Sequence, residues 1–460
     1  MPFSACVSPS SLSALVSVLD SALPDHWLRR RGRWTPVATI VILVRLVGTS
    51  GGYRPLCRQM NTELGSLFET PQFLPSALTQ ARQRLGKRPD YLRTAFSAVY
   101  DHAQAARRTR SVTYGDYVLV AVDATNTPLQ ATPALIAHFT TAGNQHGPSA
   151  APHALVSVAW DVGANQPMDY AVAPSTCGEV TLSKQLLQRL PERALVIADR
   201  LYANRHVISD LVRAQRHGLI RAPAGSNAMQ EVQDFVASGK KEAVGTLACF
   251  SRTDPTRYGR GETITVRFIR GSDAQHIYIT TLLDAHVHTR EQLLLLYTKR
   301  WRIETAFREL KLWMNLTNIR ARLPQLVEQE ILAILIYALL LSELDGMALE
   351  LYRDEIAALQ KCPAPQPRTH GGGKVALVLR QNVVRFNRAV AVSAIPSIIA
   401  AVVAGDQQLI TRTISSTIRS LWAFRASVKP DRAYPRRSSR PHSKWNRLRE
   451  KPADSCTPLD

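Results

Sequence analysis

Tyr117-Val118-Leu119-Val120-Ala121-Val122-Asp123 is an apolar, β-branched run that ends on a carboxylate. Ala194-Leu195-Val196-Ile197-Ala198-Asp199 repeats that design further along the chain. Short apolar runs of this kind read as buried strands. Each leaves an aspartate where the strand exits the core, and a charge in such a place is costly unless something compensates it. Hard divalent cations compensate carboxylates well, because they favour oxygen ligands and keep several waters. Taken singly, either aspartate also reads as a helix N-cap or a turn residue.

The segments around these runs give the topology. Ala154 to Trp160 and Met168 to Ala173 read as strands joined by a turn at Asp161 to Gln166. Glu179 to Leu190 reads as a helix closed by Pro191. After Asp199 come a helix from about Tyr202 to His217 and a short strand, Leu219 to Ala222. Three antiparallel strands, helix, strand, helix, strand is an order that resembles a ribonuclease-H-like core. In that arrangement the first and fourth strands lie side by side, so Asp123 and Asp199 are expected to be neighbours. Beyond it, Val244 to Phe250, Thr263 to Ile269 and His276 to Leu282 read as further strands, with a hairpin turn at Arg257 to Gly261. The fold class expected is α/β: a ribonuclease-H-like catalytic core with a β-rich insertion, flanked by helical N- and C-terminal domains.

A third acid lies in Tyr297-Thr298-Lys299-Arg300-Trp301-Arg302-Ile303-Glu304, continued through Thr305 to Lys311. On one continuous helix Tyr297, Arg300, Glu304 and Lys311 share a strip about 60° wide. Leu296, Ile303, Phe307 and Leu310 form the neighbouring apolar strip that a helix buries. A carboxylate beside cations suits a metal that must meet a phosphate. A solvated i,i+4 charge face would show the same pattern.

Tyr-x2-Arg-x3-Glu-x6-Lys, matched by Tyr297, Arg300, Glu304 and Lys311, resembles the signature of bacterial DDE transposases of the insertion-sequence-four family. The resemblance covers about residues 115–320. It extends more weakly to residues 20–95, where Ser76 to Gly86 is similar to a segment common ahead of the catalytic core. It implies that Asp123, Asp199 and Glu304 are catalytic and hold two Mg²⁺ or Mn²⁺ ions. It further implies that Tyr297, Arg300 and Lys311 bind the DNA end. The activity implied is cut-and-paste transposition on double-stranded DNA, at transposon ends and target, by a homodimeric synaptic complex. The expected segments are 1–110, a helical end-recognition domain; 111–222, the first part of the core; and 223–290, the insertion. Residues 291–345 complete the core with the acid-bearing helix, and 346–460 form a helical C-terminal region with a basic tail. Hairpin-forming relatives stack a flipped base on a tryptophan in the insertion. No tryptophan occurs here between Trp160 and Trp301, and Phe250, Phe268 and Tyr278 are the aromatic substitutes or ordinary core residues.

Composition fits a polyanionic partner. Lys plus Arg number 57 against 36 Asp plus Glu, for a net charge of +21. Arg29 to Arg31 and Arg33 lie between Trp27 and Trp34, and residues 425–451 carry ten Lys or Arg. Such patches take up phosphates with little sequence information, or simply form a basic extension. Six scattered cysteines without a paired motif argue against a zinc site or a disulfide framework. The start lacks a basic region ahead of its apolar stretch, unlike a signal peptide. The apolar runs Ile331 to Leu341 and Ala391 to Ala404 are too short to span a bilayer and read as buried helices. Gly371 to Gly373 before Lys374 reads as a linker, not a phosphate loop. A cytoplasmic, nucleoid-associated protein without a membrane partner is expected. Two rival readings share these features: a structure-selective, metal-dependent nuclease on the same fold, and an inactive, transposase-derived DNA-binding protein.

Overall fold

The computed structural model describes residues 14–23, 34–47, 52–64, 73–107, 114–141, 143–144, 147–148, 150–225, 228–249, 262–272, 275–361 and 384–427. The Arg29–Arg33 cluster, Phe250, the Arg257–Gly261 turn, the triple glycine and nearly all of the basic tail lie outside the described residues.

Five helices precede the sheet: α1 (Leu15–Ala22), α2 (Pro36–Leu46), α3 (Tyr53–Leu64), α4 (Pro75–Leu85) and α5 (Pro89–Arg107). Then follow β1 (Val118–Pro128), α6 (Pro133–Phe139), β2 (His153–Asp161), β3 (Gln166–Pro174), α7 (Glu179–Arg189), β4 (Ala194–Ala198), α8 (Arg205–Arg213) and β5 (His217–Ala222). Spatially the five strands run β3-β2-β1-β4-β5. β2 is antiparallel to β1 and β3, while β4 is parallel to both β1 and β5. That is the ribonuclease-H-like arrangement. The parallel register pairs Val118 with Ala194 and Ala121 with Ile197. Continued by two residues, it sets Asp123 beside Asp199.

The stretch after β5 contributes α9 (Gln230–Ala237), β6 (Glu242–Ala248), β7 (Thr263–Arg270) and β8 (Ile277–Thr280). β8 pairs antiparallel with β5, so the insertion extends the core sheet to eight strands. Two elements differ from the sequence expectation. The helix placed at about Tyr202 to His217 is a 3₁₀ turn, Arg200–Tyr202, followed by the shorter α8, because the Asn204 side chain caps a new helix start by accepting from His206 N. The single helix placed through Tyr297 and Lys311 is α10 (Arg290–Tyr297), a 3₁₀ turn at Thr298–Arg300 and α11 (Trp301–Leu312).

Behind the sheet runs α12 (Pro324–Leu351), apolar around its whole circumference and therefore a core helix. Among the described residues it is the one helix long and apolar enough to cross a membrane by length and composition, and most of its apolar window is buried within the fold. The run Ile331 to Leu341 is thus part of a longer helix than expected. Helices α2 and α5 pack on one part of it and α14 (Arg388–Ala404) and α15 (Gln407–Ala423) on another, while α13 (Arg353–Lys361) follows it directly. Buried Arg82 of α4 donates to Glu330 Oε1 at 2.9 Å and to Leu326 O at 3.1 Å, tying the N-terminal helices to α12.

Candidate active site

Asp199 directly follows β4, but Asp123 lies mid-strand, because β1 continues to Pro128 in antiparallel pairing with β2 after its parallel pairing with β4 stops at Ala121, and each aspartate is oriented by the backbone just beyond it. Asp123 Oδ1 accepts from Ala124 N at 2.9 Å, and Asp199 Oδ1 accepts from Leu201 N at 2.8 Å. Burial pushes the Asp123 carboxyl up, and the Asp199 charge adds to the rise; the Ala124 amide and the Arg300 charge act against it. Two neighbouring carboxylates are a place where a cation is favoured.

Glu304 enters from α11. Arg300 Nη2 donates to its Oε1 at 2.5 Å, and the Arg300 side chain is 11% exposed. Arg300 also interacts with the Asp123 charge, so its guanidinium bridges the third acid and the first. Its Nε is buried without a hydrogen-bond partner. Lys311, half-buried on the same helix, interacts with Asp123 as well; burial lowers its ammonium from the usual range and Asp123 opposes that.

Tyr297 is placed differently from the strip expected. A 3₁₀ turn separates it from the helix of Glu304, its ring packs edge-on against Tyr278 with centroids 4.7 Å apart, and the Arg300 guanidinium lies over the ring, 6.0 Å from its centroid. Its phenol donates to Ala198 O at 3.2 Å. Burial pushes that phenol up to about 12. Its hydroxyl thus contacts the end of the strand that leads into Asp199.

Two further residues belong to this neighbourhood. Glu179, the first residue of α7, shares a hydrogen bond with Asp123 and accepts from Tyr202 OH at 3.0 Å. Burial first, and the Asp123 charge second, push it up to about 7. In sequence, an acid in the first turn of a helix signals only a partner for the helix dipole. Its position directly after the third strand was the available clue. Trp301, 61% exposed, is the other: a large aromatic left in solvent at the start of the acid-bearing helix.

Among the described residues no three His, Cys, Asp or Glu side chains stand in an arrangement that chelates a metal as they are. The donor set nevertheless fits a hard divalent ion. Asp123 and Asp199 adjoin through the β1/β4 register, Glu179 interacts with Asp123, and all are oxygen donors.

The strand order is that of a ribonuclease-H-like core. Residues 114–340 match the family described as the transposase DDE domain. The chain is 25% identical over 273 residues to the transposase InsG for insertion sequence element IS4 of Escherichia coli (strain K12). That match takes in 58% of this chain and 60% of the relative, so it spans well under the relative's full length. Among solved structures, the piggyBac transposase synaptic complex with hairpin DNA aligns at a TM-score of 0.41 and 12% identity, over 89% of this chain and 80% of that one. The family implies dependence on a divalent metal.

Proposed function

We propose that this protein is an insertion-sequence transposase that binds terminal inverted repeats, cleaves the DNA there and joins the freed ends to target DNA. The observation that supports this reading best is the β1/β4 register, which aligns two aspartates while the 3₁₀ turn and α11 bring Arg300, Glu304 and Lys311 to the same place.

In this reading Asp123, Asp199 and Glu304 hold two divalent ions, Mg²⁺ or Mn²⁺. The ions supply activation of the attacking oxygen, water or a DNA 3′-hydroxyl, and stabilisation of the leaving 3′-oxygen. The chain's residues do the rest. Lys311 and Arg300 neutralise phosphates of the DNA end next to the acids, Arg300 releasing Glu304 as it does so. Tyr297 keeps Asp199 in register through Ala198 O. Trp301 offers an exposed face for a base at the DNA end. No protein nucleophile is required. The partners are double-stranded DNA, as transposon end and target, and a second copy of the chain in the synaptic complex; the setting is the nucleoid in the cytoplasm. The formal charge of +21 serves a polyanionic substrate.

Incubation with a DNA end, Mg²⁺ and a circular target tests this. Strand-joined product that disappears in Asp123→Ala and Glu304→Ala is the result expected. Nicking without joining would assign the fold to a structure-selective nuclease. Binding that is indifferent to metal and to both substitutions, with no product, would make the chain an inactive DNA-binding protein.

A further inference from the structure

Arg221 is a charged residue on a strand with neighbours on both sides. β4 pairs with one edge of β5 and β8 with the other, and Gly218, Leu219, Ile220 and Ala222 of β5 are all buried. An arginine among such residues needs an acceptor for its guanidinium. We propose that Arg221 binds a backbone phosphate of the DNA strand being processed, on the side of Asp199 away from Asp123. The inference rests on the reading of the protein as an enzyme that cleaves and joins DNA, and it adds a phosphate contact to that site.

Sheet register puts Arg221 in the site. β4 and β5 run parallel with Ala198 opposite Ile220. Asp199 keeps an extended backbone, with φ −80° and ψ −176°, so the register continued by one residue sets it beside Arg221. Arg221 is in turn opposite Tyr278 of β8. Asp123, Asp199, Arg221 and Tyr278 thus form one row across four adjacent strands. Residues in register point to the same face of a sheet, and Tyr278 shows which face it is, because its ring packs on Tyr297 of α10. Two residues earlier on that face, Ala121, Ile197 and Leu219 are buried in one core with Tyr297, Ile303 and Phe307. The row is therefore where the core gives way to charged groups. At the usual strand spacing of about 4.8 Å, the Arg221 backbone lies one spacing from Asp199 and two from Asp123.

Other arginines of this sheet are tied down, and this one is not. Arg267 of β7 donates to His288 O at 2.6 Å and also to Glu242. Arg270, at the end of the same strand, donates to Lys240 O at 3.0 Å and to Val236 O at 2.9 Å. Arg221 makes no side-chain hydrogen bond or ion pair among the described residues, although Asp199 is its neighbour. An arginine serving only as the counter-charge of Asp199 would stand within ion-pair distance of it. Arg221 is only partly buried, so a ligand can reach its guanidinium. A phosphodiester suits the place, since the planar fork of donors matches phosphate oxygens.

Arg221 and Arg300 then play different parts. The Tyr297 ring links them: the Arg300 guanidinium lies 6.0 Å from its centroid, and Tyr278, the cross-strand partner of Arg221, packs edge-on against it. Arg300 is paired with Glu304 and must leave that acid to take a phosphate. Arg221 breaks no ion pair when it does so. A DNA strand that crosses the sheet along this row, with its reacting phosphate at the two aspartates, places a neighbouring phosphate at Arg221.

DNA binding and single-turnover strand joining by the full-length protein test the contact, with a duplex covering the terminal inverted repeat beside the gene. Arg221→Gln should lower joining about tenfold or more, the effect of losing one hydrogen bond to a charged group. The slope of log affinity against log salt should become shallower by about 0.9, the share of one phosphate. A methylphosphonate scan of the duplex then finds the partner. At one position near the cleaved bond, removing the phosphate charge should weaken the wild type and leave the variant unchanged. Joining by Arg221→Gln within twofold of wild type, or a scan in which every position costs the variant as much as the wild type, overturns the contact. Loss of product in Asp123→Ala would still leave the DNA-joining reading standing in that case. If the wild type makes no joined product, that reading fails and the inference with it. Phenylglyoxal labelling of the wild type gives a check that needs no variant: the duplex should protect Arg221, and equal labelling with and without DNA overturns the proposal.

Discussion

Tyr297 donates its phenolic hydrogen to the carbonyl oxygen of Ala198, 3.2 Å away and one residue before Asp199. This joins the end of α10 to the strand that carries the second acid, across a boundary the sequence spans only through the whole insertion. Tyr297→Phe keeps the ring against Tyr278 and removes one buried hydrogen bond. The expected cost is about 1 kcal/mol of stability, read from a urea denaturation midpoint. Strand joining should fall because Asp199 loses its hold, while affinity for a DNA end stays within twofold. Loss of end affinity in this variant would return the tyrosine to a phosphate-binding role.

Arg388 of α14 is buried between two acids. Its Nε donates to Asp345 Oδ2 at 2.6 Å and its Nη1 to Glu309 Oε2 at 3.0 Å, and Nη2 reaches Asn165 O and Ser342 Oγ. Glu309 lies on α11, a little over a turn beyond Glu304. Removing the guanidinium leaves two buried carboxylates without their cation, a loss of about 3–5 kcal/mol. Arg388→Ala should therefore unfold at a clearly lower urea concentration, whereas substitution of an exposed arginine such as Arg193 should change little. Equal midpoints for the two variants would contradict the tether.

His217 and His288 lie near one another beyond the start of β5, away from the carboxylates. His217 Nδ1 is 3.1 Å from Thr281 Oγ1, and His288 Nδ1 is 3.1 Å from Tyr114 OH. Burial lowers both imidazoles from the usual range. A depressed folded-state value means that folding favours the neutral ring. Its contribution to stability is present above the unfolded pKa near 6.5 and is lost as pH falls from there through the folded value. The urea midpoint should drop between pH 7.5 and 5.5, and the drop should shrink in the His217→Asn, His288→Asn double variant. An undiminished drop would place the proton uptake elsewhere.

The two aspartates were legible because a buried strand has few places for a charge; Asp199 does follow the end of β4, whereas β1 runs on past Asp123 to Pro128, an extension set by its pairing with β2. The ribonuclease-H-like order followed from the alternation of runs and helices, and Glu304 from its spacing to Tyr297, Arg300 and Lys311. What escaped the sequence depends on tertiary contact. Glu179 looks like any acid at a helix start until α7 is laid over β1. The 3₁₀ turn at Thr298–Arg300 is flanked by residues in right-handed helical conformation, so periodicity does not reveal it. That the insertion lengthens the core sheet is set by the pairing of β8 with β5, a register no local pattern specifies. Arg388 reads as one more arginine in a basic chain until Glu309 and Asp345 close around it.

The pairing of Arg300 with Glu304 makes the cation and the metal competitors for one carboxylate. With Arg300 Nη2 at 2.5 Å from Glu304 Oε1, a divalent ion that takes Glu304 must displace the guanidinium. The ion also enters against the Arg300 charge, which lies close enough to stabilise ionised Asp123. Arg300→Met removes both obstacles at once. A partly exposed pair of this kind is worth about 1 kcal/mol, which corresponds to roughly fivefold in affinity. Mn²⁺ should accordingly bind the Arg300→Met protein about fivefold more tightly than wild type in the absence of DNA. Strand joining should nevertheless fall, because the residue that would move from Glu304 to a DNA phosphate is gone. Opposite signs for metal affinity and joining are the signature of a residue that changes partners. Mn²⁺ affinity that weakens in Arg300→Met would show instead that the arginine orients Glu304 for the metal and keeps that contact throughout.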